Sequence, residues 1–461
     1  MSFLRLLGLV GLSAFFVGCG DDESLFDSGS TLWGRRFGRG SSVEPVGLAG
    51  VESGGVIVAG RYHGEVDLGG GALPSPGNNY QAYVARYDGE GRHVYSRSFG
   101  AEFAEMSNDV ATSPDGTALV AGTFGWEMEL DGVVLPWTGS DDAFVAKLDP
   151  AGKVVWARAL GGAGRQRGFA VAAMPDGGAI VAGTTSGALD LGVGEPQTDS
   201  KGAFLVRLDA SGAPVWSRLL SSSDGFTVVN DVAARGDTIA VVGRFAFELD
   251  LGLDVDLVAG GYNDGFVVTY DLDGAPLWSR KVGEAGYNDV VSAVAFAPDG
   301  GLVLTGKVEG GVDLGGGFHQ AADEYDANTF LLELDAAGNH RRSNVYGGEG
   351  YDIGQGLALS SDGGVILTGD MLGRMSFGAG ALVTPEGENG KDAFVAVLDA
   401  DRNPVFLRHI GGVDVQSGQR AAVDGQGRVF IAGSVMGAVD LGLGMTPSSG
   451  YYETFLVALG P

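Results

Sequence analysis

Carboxylates recur in this chain at one fixed register: Asp67, Glu129, Asp190, Asp250, Asp313 and Asp440, with Ser376 in the remaining copy. A repeated acid invites a calcium reading, because that ion takes roughly six to eight oxygens converging from a short loop. Each copy offers one carboxylate only, followed in most copies by Leu-Gly, as in Asp190-Leu191-Gly192. No Asp-x-Asp-x-Asp series accompanies it, so a turn-capping aspartate fits the spacing better than a cation ligand. Asp323, Glu324 and Asp326, bunched about Tyr325, form the better loop for a calcium ion; no other metal or cofactor is expected. The run from Asp250 to Asp256 alternates acids with apolar residues. As a strand it would carry Asp250, Asp254 and Asp256 on one solvated face.

The five histidines, His63, His93, His319, His340 and His409, stand apart in the chain, without the close spacing that zinc or iron sites use. Neither a Gly-x-Ser-x-Gly nucleophile turn nor a phosphate-cradling Gly-Lys-Ser/Thr loop is present. Among 58 acidic residues no pair is singled out for glycoside hydrolysis. No catalytic residue is assigned on these grounds. A repeated Trp-x-Arg, as at Trp156-Ala157-Arg158 and Trp216-Ser217-Arg218, could stack a cation or a nucleotide base. Its recurrence argues instead for packing between repeats, with arginine covering the aromatic faces.

These positions belong to a unit that occurs seven times. An aliphatic run ends in glycine at Gly60, Gly122, Gly183, Gly243, Gly306, Gly369 and Gly433, in steps of 60 to 64 residues. After each comes the polar position, a loop of variable length, and an alternating strand entered through an aromatic: Tyr83, Phe144, Phe204, Phe266, Phe330, Phe394 or Phe455. An aspartate then opens a tight turn that glycine closes, as at Asp149 and Gly152; the sixth copy departs, with Arg402 in the glycine place. Asp-Gly pairs such as Asp115-Gly116 and Asp176-Gly177 precede most marker glycines and signal further hairpins. Four short antiparallel strands per unit and seven units predict an all-β fold, a seven-bladed β-propeller. Small residues in the first strand of each unit, such as Ala170 to Ala173, place that strand nearest the axis. The 82 glycines sit at periodic turns, which argues against low-complexity disorder.

The chain ends on a third strand, and the missing fourth stands at the front. Trp33-Gly34-Arg35-Arg36-Phe37-Gly38 matches Trp156-Ala157-Arg158-Ala159-Leu160-Gly161 place for place. The N-terminal strand is therefore expected to complete the seventh blade beside Phe455, hiding both edges. No linker or composition break interrupts residues 31–461, which are expected to form one domain.

Residues 1–18 read as a signal peptide: Arg5, an apolar run from Leu6 to Val17, then Gly18 before Cys19. Residues 19–30, acidic and small, are expected to be a flexible tether. Phe16-Val17-Gly18-Cys19 resembles the lipobox of bacterial lipoproteins, and by that resemblance Cys19 is the lipid attachment site, carrying thioether-linked diacylglycerol. As the sole cysteine it has no disulfide partner within the chain. The expectation is an exported protein, lipid-anchored to the bacterial envelope, at the outer membrane or cell surface rather than the inner membrane. A formal charge of −29, from 29 basic and 58 acidic residues, opposes binding to nucleic acid and, lipid apart, to anionic membrane surfaces.

In such a propeller the loops between strands two and three share a face with the blade-to-blade crossovers, and the tight turns share the other. The former vary in length and hold aromatics outside the repeat pattern: Tyr80, Trp137, Tyr262, Tyr325, Tyr451 and Tyr452, with Trp126 just before one of them. These are candidate contacts for a protein or glycan ligand. The block Asp-Ala-Phe-Val-Ala-Lys-Leu-Asp (residues 142–149), Trp156-Ala157-Arg158, and the Val-Ala-Gly to Asp-Leu-Gly segment ending at Gly192 resemble the seven-bladed β-propeller (SBBP) repeat lipoproteins of bacteria, especially those of myxobacteria. The likeness spans residues 31–461 and implies the fold; that family has no established catalytic residues to carry over. The expectation is a monomeric, lipid-anchored binding scaffold for which no catalysis is inferred. The alternatives are an enzyme, hydrolase or quinoprotein-like, with its site at the channel mouth, and a structural envelope component.

Overall fold

The computed structural model describes residues 30–460 except 39, 76–77, 101–104, 195–196, 223–225, 285, 321–325, 349, 379, 385–389, 413 and 448–449. Seven antiparallel sheets, each built on four strands paired in order, form seven blades. Blade one consists of Ser42–Gly50, Val56–His63, Gln81–Tyr87 and His93–Phe99. First strands of neighbouring blades touch all the way round, Ser42–Gly50 meeting Gln416–Val423 of blade seven, so they line the axis. The ring closes as expected. Thr31–Phe37 pairs antiparallel with Glu453–Leu459, placing Trp33 opposite Ala458 and Arg36 opposite Phe455. Arg36 and Glu453, both buried, form an ion pair across that seam, and Trp33 Nε1 donates to the Gly89 carbonyl of blade one at 2.9 Å.

The marker glycines are required by space rather than by φ, since none has a left-handed backbone. Each stands opposite the strand-three aromatic: Gly60 with Tyr83, Gly183 with Phe204, Gly433 with Phe455. These rings are buried. A Cβ on Gly183 would lie 2.6 Å from the Phe204 ring and collide with the Arg167 carbonyl of strand one. There strand one skips register between Gly168 and Ala170, leaving Phe169 as an extra residue. The same skip recurs in every blade, at Val46, Asn108, Asn230, Ser292, Gln355 and Gln419. A bulge beside a residue without a side chain lets the aromatic fill the gap and increases local twist. Burying each ring stabilises the fold by about 1.5–3 kcal/mol.

Blades are clasped to one another by the Trp-x-Arg motif. Trp156, Trp216 and Trp278 donate through Nε1 to Ala210, Leu272 and Ala336 carbonyls at 3.1, 2.8 and 3.0 Å, each in the strand three–four turn of the next blade. The indole also lies on the glycine of that turn: a Cβ at Gly212 would stand 2.8 Å from Trp156. Gly212 has φ +83°, so two independent demands select glycine there. Arginine covers an aromatic ring at two of these positions, Arg408 at 5.0 Å from the Phe406 ring centroid and Arg35 at 5.4 Å from that of Tyr87, but other motif arginines take a different partner. Arg97 and Arg218 instead donate through Nε to the Gly152 and Gly274 carbonyls, each at 3.0 Å, because a turn carbonyl already lies within their reach. The sixth blade explains its own departure. Its turn carries Arg402 at φ +71°, and the residue of blade five that approaches it is Arg342 rather than tryptophan. With no indole above it, the turn admits a side chain, and Arg402 pairs with Glu333 of blade five at 2.6 Å.

The variable segments between strands two and three are more regular than expected. Several fold into short hairpins, such as Met128–Leu130 with Val133–Leu135 and Arg374–Ser376 with Ala381–Val383. Their aspartates cap turns: Asp67 Oδ1 accepts from Gly69 and Gly71 N–H at 2.7 and 2.9 Å, and Asp190 and Asp440 accept from Gly192 and Gly442 at 2.8 and 2.7 Å. Leu68, Leu191, Leu251, Leu314 and Leu441 follow and are buried, pinning each hairpin to the blades. Asp250 likewise accepts from Gly252 at 2.8 Å and ends the strand Glu248–Asp250. Asp254 and Asp256 therefore do not continue a strand face with it, because the cap turns the chain first.

Gly183→Ala is expected to cost about 2–3 kcal/mol through overpacking. Urea denaturation measures it, and an unchanged midpoint would refute the steric account.

Candidate functional site

On the loop face, Trp126 and Trp137 flank the blade-two hairpin with ring centroids 4.9 Å apart and planes inclined at 33°. They are 45% and 36% exposed, and Trp137 Nε1 donates to the Ser140 carbonyl at 3.3 Å. Tyr262 is 76% exposed, and Tyr451 and Tyr452 are exposed too. Tyr80 differs. It is half-buried, with the Arg61 guanidinium 4.8 Å from its ring centroid and Arg61 Nε donating to Glu44 at 3.0 Å. Tyr325, Asp323, Glu324 and Cys19 lie outside the described residues. Asp326 Oδ1 accepts from Gly350 N–H at 3.1 Å, and among the described residues no three His, Cys, Asp or Glu side chains converge as a metal cluster. The opposite face is made of tight turns tied to one another, for instance by Gly55 N–H donating to Asp424 Oδ2 at 2.9 Å.

The axis holds a second arrangement that sequence reasoning missed. Six of the seven bulge residues, Val46, Asn108, Phe169, Asn230, Ser292 and Gln355, line a chamber of about 700 Å³ toward the loop face. A chamber of about 340 Å³ lies toward the turn face, and Asn230, Ser292, Gln355 and Arg420 line both. Some of these polar groups staple adjacent inner strands: Asn108 and Asn230 Nδ2 donate to the Gly168 and Val291 carbonyls of the next blades at 2.6 and 2.8 Å. Asp109 and Asp231 wall the smaller chamber and accept from Val171 and Val294 N–H, each at 2.9 Å. Burial in the channel wall pushes their carboxyls up to about 6 and about 7, opposed by the Arg420 guanidinium. The only trace in sequence was the residue at the skipped register, which is recognisable once the pairing is known.

Other polar groups also gather where the chain kept them apart. His319 and His340 both place Nε2 on Ser343 Oγ, at 3.1 and 3.0 Å. Two imidazoles and a hydroxyl fall short of a zinc ligand set. Asp289 accepts from Glu309 and Glu284 N–H at 2.9 and 3.0 Å, and Asp352 accepts from Leu372 and Gly348 N–H at 3.2 and 3.1 Å. Both are buried beneath the loop face, and desolvation pushes each up to about 7.

No protein-family model matches the chain. The regulatory protein FlaEY of Caulobacter vibrioides is 26% identical over 318 residues, covering 64% of this chain and 31% of that protein. The chain thus spans about a third of that relative's length. Among solved structures, the fold is similar to the WD40 β-propeller domain of Doa1, with a TM-score of 0.47 and 10% identity over 92% of this chain and 94% of that one. It is also similar to the WD40 domain of Neurospora crassa Pan2, with a TM-score of 0.44 and 10% identity over 91% and 89%.

Asp231, Asp289 and Asp352 hold their protons more tightly folded than unfolded, where 3.8 is their ordinary value. Folded chains therefore bind more protons between about pH 4 and pH 7, and stability falls as pH rises through that window. The melting temperature at fixed ionic strength is expected to be higher at about pH 5 than at about pH 8. Asp352→Asn should flatten that dependence, and an unaltered slope would show that Asp352 does not titrate there.

Proposed function

We propose that the protein is an envelope-tethered binding scaffold. Cys19 carries the lipid, residues 19–30 form the leash, and the loop face of the propeller holds a protein or glycan partner. The asymmetry of the two faces supports this reading above all. One presents the exposed pair Trp126 and Trp137 together with Tyr262, Tyr451 and Tyr452; the other presents short turns bound to each other. Neighbouring indoles offer a broad apolar face with polar edges, suited to a sugar ring or to an aliphatic side chain. Rigid blades beneath keep the loss of entropy on binding small. Catalysis has no part in this reading.

The full chain in detergent, presented with envelope extract, is expected to retain a partner that the Trp126→Ala/Trp137→Ala double variant retains at least about tenfold less well, a loss matching removal of a hot-spot aromatic. Equal retention by a folded double variant would end the proposal for these residues. For the anchor, Cys19→Ser should abolish incorporation of labelled palmitate and move the protein from membrane to soluble fractions. Labelling that persists in the serine variant would place the lipid elsewhere.

A further inference from the structure

The larger axial chamber is lined by three cationic side chains although the chain is strongly acidic. Its lining includes Arg244, Lys307 and Arg420 and, among the described residues, no aspartate or glutamate, in a chain of net charge −29. Lys307 is already engaged, with Glu309 at 2.5 Å and the Tyr351 hydroxyl at 3.0 Å. Arg244 lies 5.7 Å from the Phe226 ring centroid and Arg420 faces Asp109 and Asp231 from a distance. Among the described residues neither has a carboxylate within ion-pair distance, and Arg420 donates to the Gln419 carbonyl at 3.0 Å. Arg244 Nε is buried without a hydrogen-bond partner, which leaves a charged donor unsatisfied in the wall. Around these cations stand Asn108, Asn230, Ser292 and Gln355, with Phe169 supplying an apolar surface. Beyond the shared residues lie Asp109 and Asp231, so an anion entering from the loop face meets cations first and carboxylates behind them.

We propose that the loop-face chamber of the axial channel is a binding site for a small hydroxylated organic anion, its carboxylate or phosphate held by Arg244 and Arg420 and its hydroxyls by the bulge amides. A chamber of about 700 Å³ admits a molecule of one or two sugar rings and no folded partner. Guanidinium groups bind oxyanions through charge-assisted hydrogen bonds, which strengthen where water is excluded. The site is distinct from the Trp126 and Trp137 surface, so either reading can fail without the other.

Isothermal titration of the full chain with glucuronate, glucose 6-phosphate and glucose tests it. At least one acid is expected to bind about tenfold or more tightly than glucose, and the two acids together decide between carboxylate and phosphate. Arg244→Gln and Arg420→Gln should each weaken that acid by about tenfold or more, whereas Trp126→Ala should leave it unchanged. Binding of neither acid, binding of glucose equally well, or affinity surviving both arginine substitutions would overturn the proposal. Should Arg420→Gln fail to fold, because Arg420 also faces Asp109 and Asp231, Arg244→Gln decides alone.

Discussion

In every blade a strand-three aromatic ring is set against a strand-two glycine where strand one bulges, and most other features of the molecule depend on that contact. The glycine leaves room for the ring and for the strand-one carbonyl, so no other residue fits at Gly183 or its counterparts. The bulge that accompanies it turns one residue of each inner strand out of the regular alternation. Those extra residues make up much of the wall of the loop-face chamber, while small inner-strand residues such as Ala111, Ala172 and Ala234 line the turn-face one. A packing requirement inside the blade thus determines the chemistry at the axis.

Between blades a second contact is repeated, and it explains variation as well as repetition. The indole on a turn glycine forms one unit with its hydrogen bond to the same turn. In blade six, arginine replaces the glycine and the residue above it is arginine as well. Two departures that look independent in the chain are one compensated exchange in the fold. At the seam, Trp33 serves blade one while its own strand completes blade seven, so ring closure uses the same clasp as Trp156, Trp216 and Trp278.

Polar groups buried in this fold hold backbone before they do anything else. Asp289 and Asp352 fasten the start of an inner strand to neighbouring loops, Asp109 and Asp231 tie adjacent inner strands, and the recurrent aspartates of the loop hairpins cap turns. An acidic chain of this kind spends many carboxylates on structure. Against that background, the cationic lining of the axial chamber and the exposed indoles of blade two stand out.

Spacing and residue type were enough to determine the number of blades, the four-strand unit, the closing strand and the turn-capping aspartates. These rest on local rules that act within one repeat, and seven copies average out local noise. Lying outside the repeat placed Tyr80, Trp137 and Tyr262 in the variable loops without deciding which of them are exposed. What the tertiary structure alone decided was the lining of the channel, the half-burial of Tyr80 under Arg61, the meeting of His319 with His340, and the course of the Asp250–Asp256 segment. Each depends on register and on residues far apart in the chain. A one-residue bulge reverses which side chains face inward, and sequence alternation carries no mark of where that reversal falls.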